Sequence, residues 1–173
     1  MTEENDRTRG SMSSVVSLHR YWIYSNRLRV LFKGALKQTP MDEMQGVPVE
    51  VAVISLLLSD LGIFMAYWYG SLYVVVEGYR ELRLNDPEID ILLQSPNVDH
   101  LRLFRNGMFH FQQEPLSPKL FGIMNSPDSV AWLQRLHRRL GEVLLSRVRA
   151  DLPPEARENV EAMLRDLKGG NSE

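Results

Sequence analysis

An arginine, an asparagine and a histidine fall within six residues of one another at Arg105, Asn106 and His110. These groups suit cleavage of a phosphodiester. Arginine supplies a permanent, fork-shaped cation for a phosphate oxygen. Histidine, with a reference pKa of about 6.5, can take a proton from an attacking hydroxyl or return one to a leaving oxygen near neutral pH. Asn106 would orient the imidazole or hydrogen-bond the phosphate. Such a reaction calls for no metal or other cofactor when the nucleophile is the 2′-hydroxyl of RNA. The four histidines (His19, His100, His110, His137) show no H-x-x-x-H pair or other ligand spacing. One Arg and one His do not readily serve as acid, base and anion clamp together. A two-fold dimer that brings two copies into one cleft would supply the rest.

The element that must hold these residues is the run Leu101-Arg102-Leu103-Phe104-Arg105-Asn106-Gly107-Met108-Phe109-His110-Phe111. Its pattern predicts a helix from Val98 to about Gln113, capped by Asn97 and ended by Pro115 and Pro118. At 100° per residue, Leu101, Phe104, Met108 and Phe111 face the core. Arg102 and Asn106 lie opposite, flanked by Arg105 and His110. Phe109 falls among the polar residues and needs cover, for which a partner subunit is a natural source. Gly107 in mid-helix costs about 1 kcal/mol relative to alanine, which implies that a neighbouring helix or a ligand approaches there.

The remaining chain reads as a helical scaffold. A polar tail over residues 1–13 reads as disordered. One helix is expected from Ser14 to Gln38, and another over Val49–Leu82, bent near Gly62 or Gly70. A short helix over Glu88–Gln94, a short piece within 116–125, a long helix starting at Ser126-Pro127-Asp128 and a last one over 155–168 complete the pattern. No sustained period-two alternation is present. The expectation is an all-α, up-and-down bundle of four long helices with short additional ones, a single domain over 14–168, and a disordered C-terminal tail over 169–173.

Charge and composition narrow the functional classes. The chain has 173 residues, no cysteine and a net charge of −2. Disulfides and thiolate chemistry are thereby excluded, and with no apolar leader at Met1–Arg7 a cytoplasmic protein is expected. The charges are segregated. Residues 11–41 carry five basic groups and no acid, 42–99 carry ten acids and two arginines, and 100–150 carry eight basic groups and three acids. Arg29, Lys33 and Lys37 form a stripe at i, i+4, i+8, which is either a solvated face or a surface for RNA phosphates. The apolar run from Val51 to Val76 is long enough to span a bilayer. Asp60 near its middle and the small-residue stripe Ser55, Ser59, Gly62, Ala66, Gly70 favour a buried helix instead, with no membrane partner.

Arg105-Asn106-Gly107-Met108-Phe109-His110 resembles the R-x4–6-H motif of the HEPN superfamily, including the polar residue after the arginine. The stretch Leu72-Tyr73-Val74-Val75-Val76-Glu77-Gly78-Tyr79-Arg80-Glu81-Leu82, followed by an Asp-Pro turn, is similar to the helix that precedes the motif in bacterial HEPN proteins linked to abortive infection. The resemblance covers about Tyr67 to Gln113. It implies a dimeric helical domain whose paired motifs form a metal-independent endoribonuclease. Such an enzyme cleaves RNA to 2′,3′-cyclic phosphate ends as a toxin or phage-defence effector, in some cases with a neutralising partner protein. Glu77 and Arg102 are supporting candidates, with Glu77 pairing with Arg105 or Arg102 either to fix a guanidinium or as an ordinary interhelical ion pair. The alternative is a non-catalytic HEPN-like module that binds RNA or protein.

Overall fold

The computed structural model describes residues 3–40 and 46–151, with side chains over 14–40 and 46–150. Seven helices make up its regular structure: α1 (Glu3–Gln38), α2 (Val49–Leu58), α3 (Asp60–Glu81), α4 (Pro87–Leu92), α5 (Asn97–Phe109), α6 (Pro118–Asn125) and α7 (Ser129–Asp151). No strand occurs among the described residues. The all-helical expectation holds to this level. The expected final helix over 155–168 and the C-terminal tail lie outside the described residues.

The core is assembled around α3, which packs on α1 and α5, while α7 packs on α1 and α4. Leu72, Val75 and Val76 of α3 meet Leu101 and Phe104 of α5 and Leu136, Leu140 and Leu144 of α7 in one cluster, all essentially inaccessible to solvent. Burying each such side chain stabilises the fold by about 1.5–3 kcal/mol. The wide apolar surface of α3 thus serves helices on several sides. No single described helix is long and apolar enough to cross a membrane; α2 and α3 reach that length and composition only as a pair bent by 72°.

Three boundaries depart from the sequence pattern. α1 starts at Glu3, ahead of the expected Ser14, because no proline interrupts the polar stretch before Pro40. The segment over 49–82 is two helices rather than one. Ser59 is extended (φ −84°, ψ 164°) between them, and its hydroxyl donates to the Leu56 carbonyl at 2.6 Å while accepting from Gly62 N–H at 3.3 Å. Gly62 belongs to this corner, since a Cβ there would collide with the Leu56 carbonyl. The third departure is at α5, which ends at Phe109 and not at Gln113. Gln112 Nε2 donates to the carbonyls of His110 (2.7 Å) and Phe111 (3.1 Å), which holds the segment just past the helix end.

Candidate active site

The start of α5 is fixed through a residue expected in another role. Asn97 does not cap α5 with its side chain. Its Nδ2 donates to Asp128 Oδ1 at 3.0 Å, which ties the start of α5 to the turn before α7. From there Leu101 and Phe104 anchor the helix in the core, and Met108 packs partly against it. Gly107 is buried where α6 crosses, and a Cβ there would lie 2.9 Å from Leu120 Cδ2 and 3.2 Å from Lys119 Cβ. A neighbouring helix accounts for the glycine.

Arg105 and Asn106, adjacent in sequence, bond to each other, and the Asn106 amide oxygen is engaged by the guanidinium and not by the imidazole. Arg105 Nη1 donates to Asn106 Oδ1 at 3.0 Å, and its Nη2 lies 3.8 Å from Glu77 Oε2 on α3. Glu77 therefore pairs with Arg105. Arg102 turns to Asp99 on its own helix, with Nε 3.2 Å from Oδ1, and forms no ion pair with Glu77. Tyr73, one turn before Glu77, completes this α3–α5 seam. Burial and the Glu77 carboxylate push its hydroxyl pKa up, against the opposing pull of Arg102, Arg80 and Arg105. The sequence pattern gives no sign of Tyr73, because a lone tyrosine in an apolar run carries no distinguishing spacing.

His110 is placed differently. It follows the last helical residue in extended conformation (φ −114°, ψ 135°), so the 100° rule no longer sets its direction. Its exposed imidazole borders a groove of about 370 Å³ formed with Leu57, Leu58, Phe109, Phe111 and Glu114. Arg105 and Asn106 do not line that groove; the His110 backbone N–H donates to the Asn106 carbonyl at 3.2 Å, but among the described residues no hydrogen bond or ion pair joins the His110 imidazole to the side chain of either. Phe111, expected on the core face, is 92% exposed because the helix has already ended. Phe109 is partly covered within the chain. Its ring sits in the notch left by Gly70 and meets Tyr67 edge-on at 5.4 Å, yet 46% of it remains accessible.

The basic stripe of α1 lies elsewhere. Arg29 and Lys33 line a cavity between α1 and α7 that includes no residue of α5, and exposed Lys37 lies outside its lining. Among the described residues no three His, Asp or Glu side chains gather as a metal site.

The site therefore has two parts within one chain. An oriented guanidinium stands on the α3–α5 seam, and an exposed imidazole stands past the end of α5. Together they offer an anion clamp and a proton-transfer group to a substrate that reaches both. Compared with known proteins, the chain matches no family model, no curated protein and no solved structure.

Proposed function

We propose that this protein is a metal-independent endoribonuclease of HEPN type that works as a homodimer, with α1, α3, α5 and α7 as the long members of an up-and-down bundle. The carrying observation is the preparation of Arg105. Asn106 and Glu77 hold its guanidinium in a fixed direction five residues before the loss of helix at His110. In the reaction the RNA 2′-oxygen attacks the adjacent phosphorus and the P–O5′ bond breaks, leaving a 2′,3′-cyclic phosphate and a 5′-hydroxyl. Arg105 neutralises the phosphoryl oxygens, one His110 accepts the 2′-hydroxyl proton, and a second protonates O5′. Two histidines in these opposite roles require two copies, and the accessible part of Phe109 is the apolar surface a second copy would cover. A role as a toxin or phage-defence effector in the cytoplasm, with or without a neutralising partner, follows from the same reading.

The separation of His110 from Arg105 in one chain favours a second reading, a non-catalytic module that binds RNA or protein. An RNase assay in EDTA decides between them. Cleavage of single-stranded RNA by the wild type, falling about 10²–10⁴-fold in both Arg105→Ala and His110→Ala with the fold retained, supports the enzyme. Equal activity in wild type and both variants, or none in any of them, rejects it.

A further inference from the structure

The second cavity, between α1 and α7, has a volume of about 620 Å³ and shares no lining residue with the groove at His110. That size is within the range of about 300–1,000 Å³ typical of small-molecule sites. Its charge is one-sided. Arg29, Lys33, Arg135 and Arg138 line it against the single carboxylate of Glu142. Glu142 is itself engaged by Arg138 (3.9 Å) and Arg139 (3.3 Å), and Arg135 leans on Glu88 at 3.5 Å. Arg29 and Lys33 have no carboxylate partner among the described residues.

Arg29 is also aimed. Its Nε and Nη2 donate to Asn26 Oδ1 at 3.2 and 2.9 Å. Asn26 Oδ1 lies 3.2 Å from His137 Nε2, and Trp68 Nε1 lies 3.3 Å from His137 Nδ1. An indole N–H can only donate, so Nδ1 accepts and the His137 proton sits on Nε2, directed at Asn26. A hydrogen-bond chain that starts buried at Trp68 of α3 and runs through α7 to α1 thus ends on a half-buried cation that lacks a carboxylate countercharge among the described residues. Keeping such a cation in place costs desolvation unless an anion joins it. Beside it stands Trp22, whose Nε1–H donates to the His137 carbonyl at 2.9 Å and whose ring fills the space that a Cβ on Gly141 would take.

We propose that this pocket binds a nucleotide phosphate ester, either a free mononucleotide or one residue of an RNA strand, with its phosphate on Arg29 and Lys33 and its base against the part of the Trp22 indole that lines the cavity, the ring being stacked on its other side by His19 (centroids 5.8 Å). Guanidinium and ammonium groups supply the anion contacts, and an indole gives any base a sequence-tolerant surface.

The test is an NMR titration of the intact protein with AMP, a short single-stranded RNA and inorganic phosphate. It follows the Trp22 indole N–H resonance, assigned through Trp22→Phe. Saturable movement with AMP or with RNA is expected, and AMP against RNA distinguishes free nucleotide from strand. Lys33→Gln, at an exposed position that leaves the core untouched, should weaken binding about tenfold. No movement with AMP or RNA overturns the proposal, as does unchanged affinity in both Lys33→Gln and Arg29→Gln. An equal response to inorganic phosphate overturns the base contact and with it the nucleotide assignment.

Discussion

At the scale of single residues, the same side-chain chemistry takes opposite roles according to its neighbours. Arg139 and Arg105 are both half-buried arginines beside carboxylates, but their surroundings differ. Arg139 grips Asp86 through Nε (3.0 Å) and Nη2 (2.7 Å), while Asp86 also accepts from Ile89 N–H as the cap of α4. The Arg139 guanidinium holds the Asp86 carboxyl below its ordinary pKa, with the α4 amide adding to the effect. That pair is structural. Asp86→Ala removes a cap and leaves a partly buried cation without its best partner, so a loss of about 2–3 kcal/mol in urea unfolding is expected. An unchanged midpoint would show that Glu88 and Glu142 replace Asp86 fully. Arg105 keeps only the 3.8 Å contact with Glu77 and one amide bond, which leaves donors for a substrate. On the proposed ribonuclease reading, Glu77→Gln should leave the fold intact and lower RNA cleavage by about tenfold or less, because it frees the guanidinium without removing it. A loss as large as that of Arg105→Ala would make Glu77 a participant in the chemistry.

Elements end where side chains are anchored, and this decides how much of them can be read in advance. The core face of α5 was legible from Leu101 and Phe104, since period 3.6 reports burial directly. The direction of His110 was not legible, because Phe109 seats against Gly70 of α3 and the helix stops there. That contact joins residues far apart in sequence, and no local pattern encodes it. The small-residue stripe was visible, but its parts divide between two tasks: Gly62 turns the α2–α3 corner and Gly70 receives Phe109. The asymmetry among glycines gives a paired prediction. Gly62→Ala drives a methyl into the Leu56 backbone, which cannot yield as a side chain can, and should cost about 1–3 kcal/mol. At Gly34 in α1, an added methyl would meet nothing within 4 Å, so Gly34→Ala should gain about 1 kcal/mol from helix propensity. Equal midpoints for the two variants in chemical denaturation would refute the tight corner.

For the whole molecule, the joint that matters most lies away from the Arg–His motif. His137 of α7 accepts from Trp68 of α3 and faces Asn26 of α1, with the Trp22 ring 5.3 Å away, so one imidazole links three helices. In the sequence it is one of four scattered histidines, and only the fold reveals the connection. Burial, with Arg29 and Lys33 adding to it, pushes the His137 pKa down to about 3. Protonation would also set an Nδ1–H against the Trp68 N–H. The unfolded chain therefore binds a proton more readily than the folded one, and the stability this group contributes is present above about pH 6.5 and is lost as pH falls toward 3. Burial lowers the His19 pKa too, so it acts in the same direction. Between pH 7 and pH 5, above the main carboxylate range, His137 alone should remove about 2 kcal/mol from the unfolding free energy. Urea unfolding at both pH values, for wild type and His137→Gln, isolates that share. The variant should be less stable at pH 7, because it breaks the three-helix joint, yet its stability should fall by about 2 kcal/mol less than the wild type's between the two pH values. Parallel losses in the two proteins would mean that His137 already carries its proton in the folded state, and the neutral joint between α1, α3 and α7 would then be wrong.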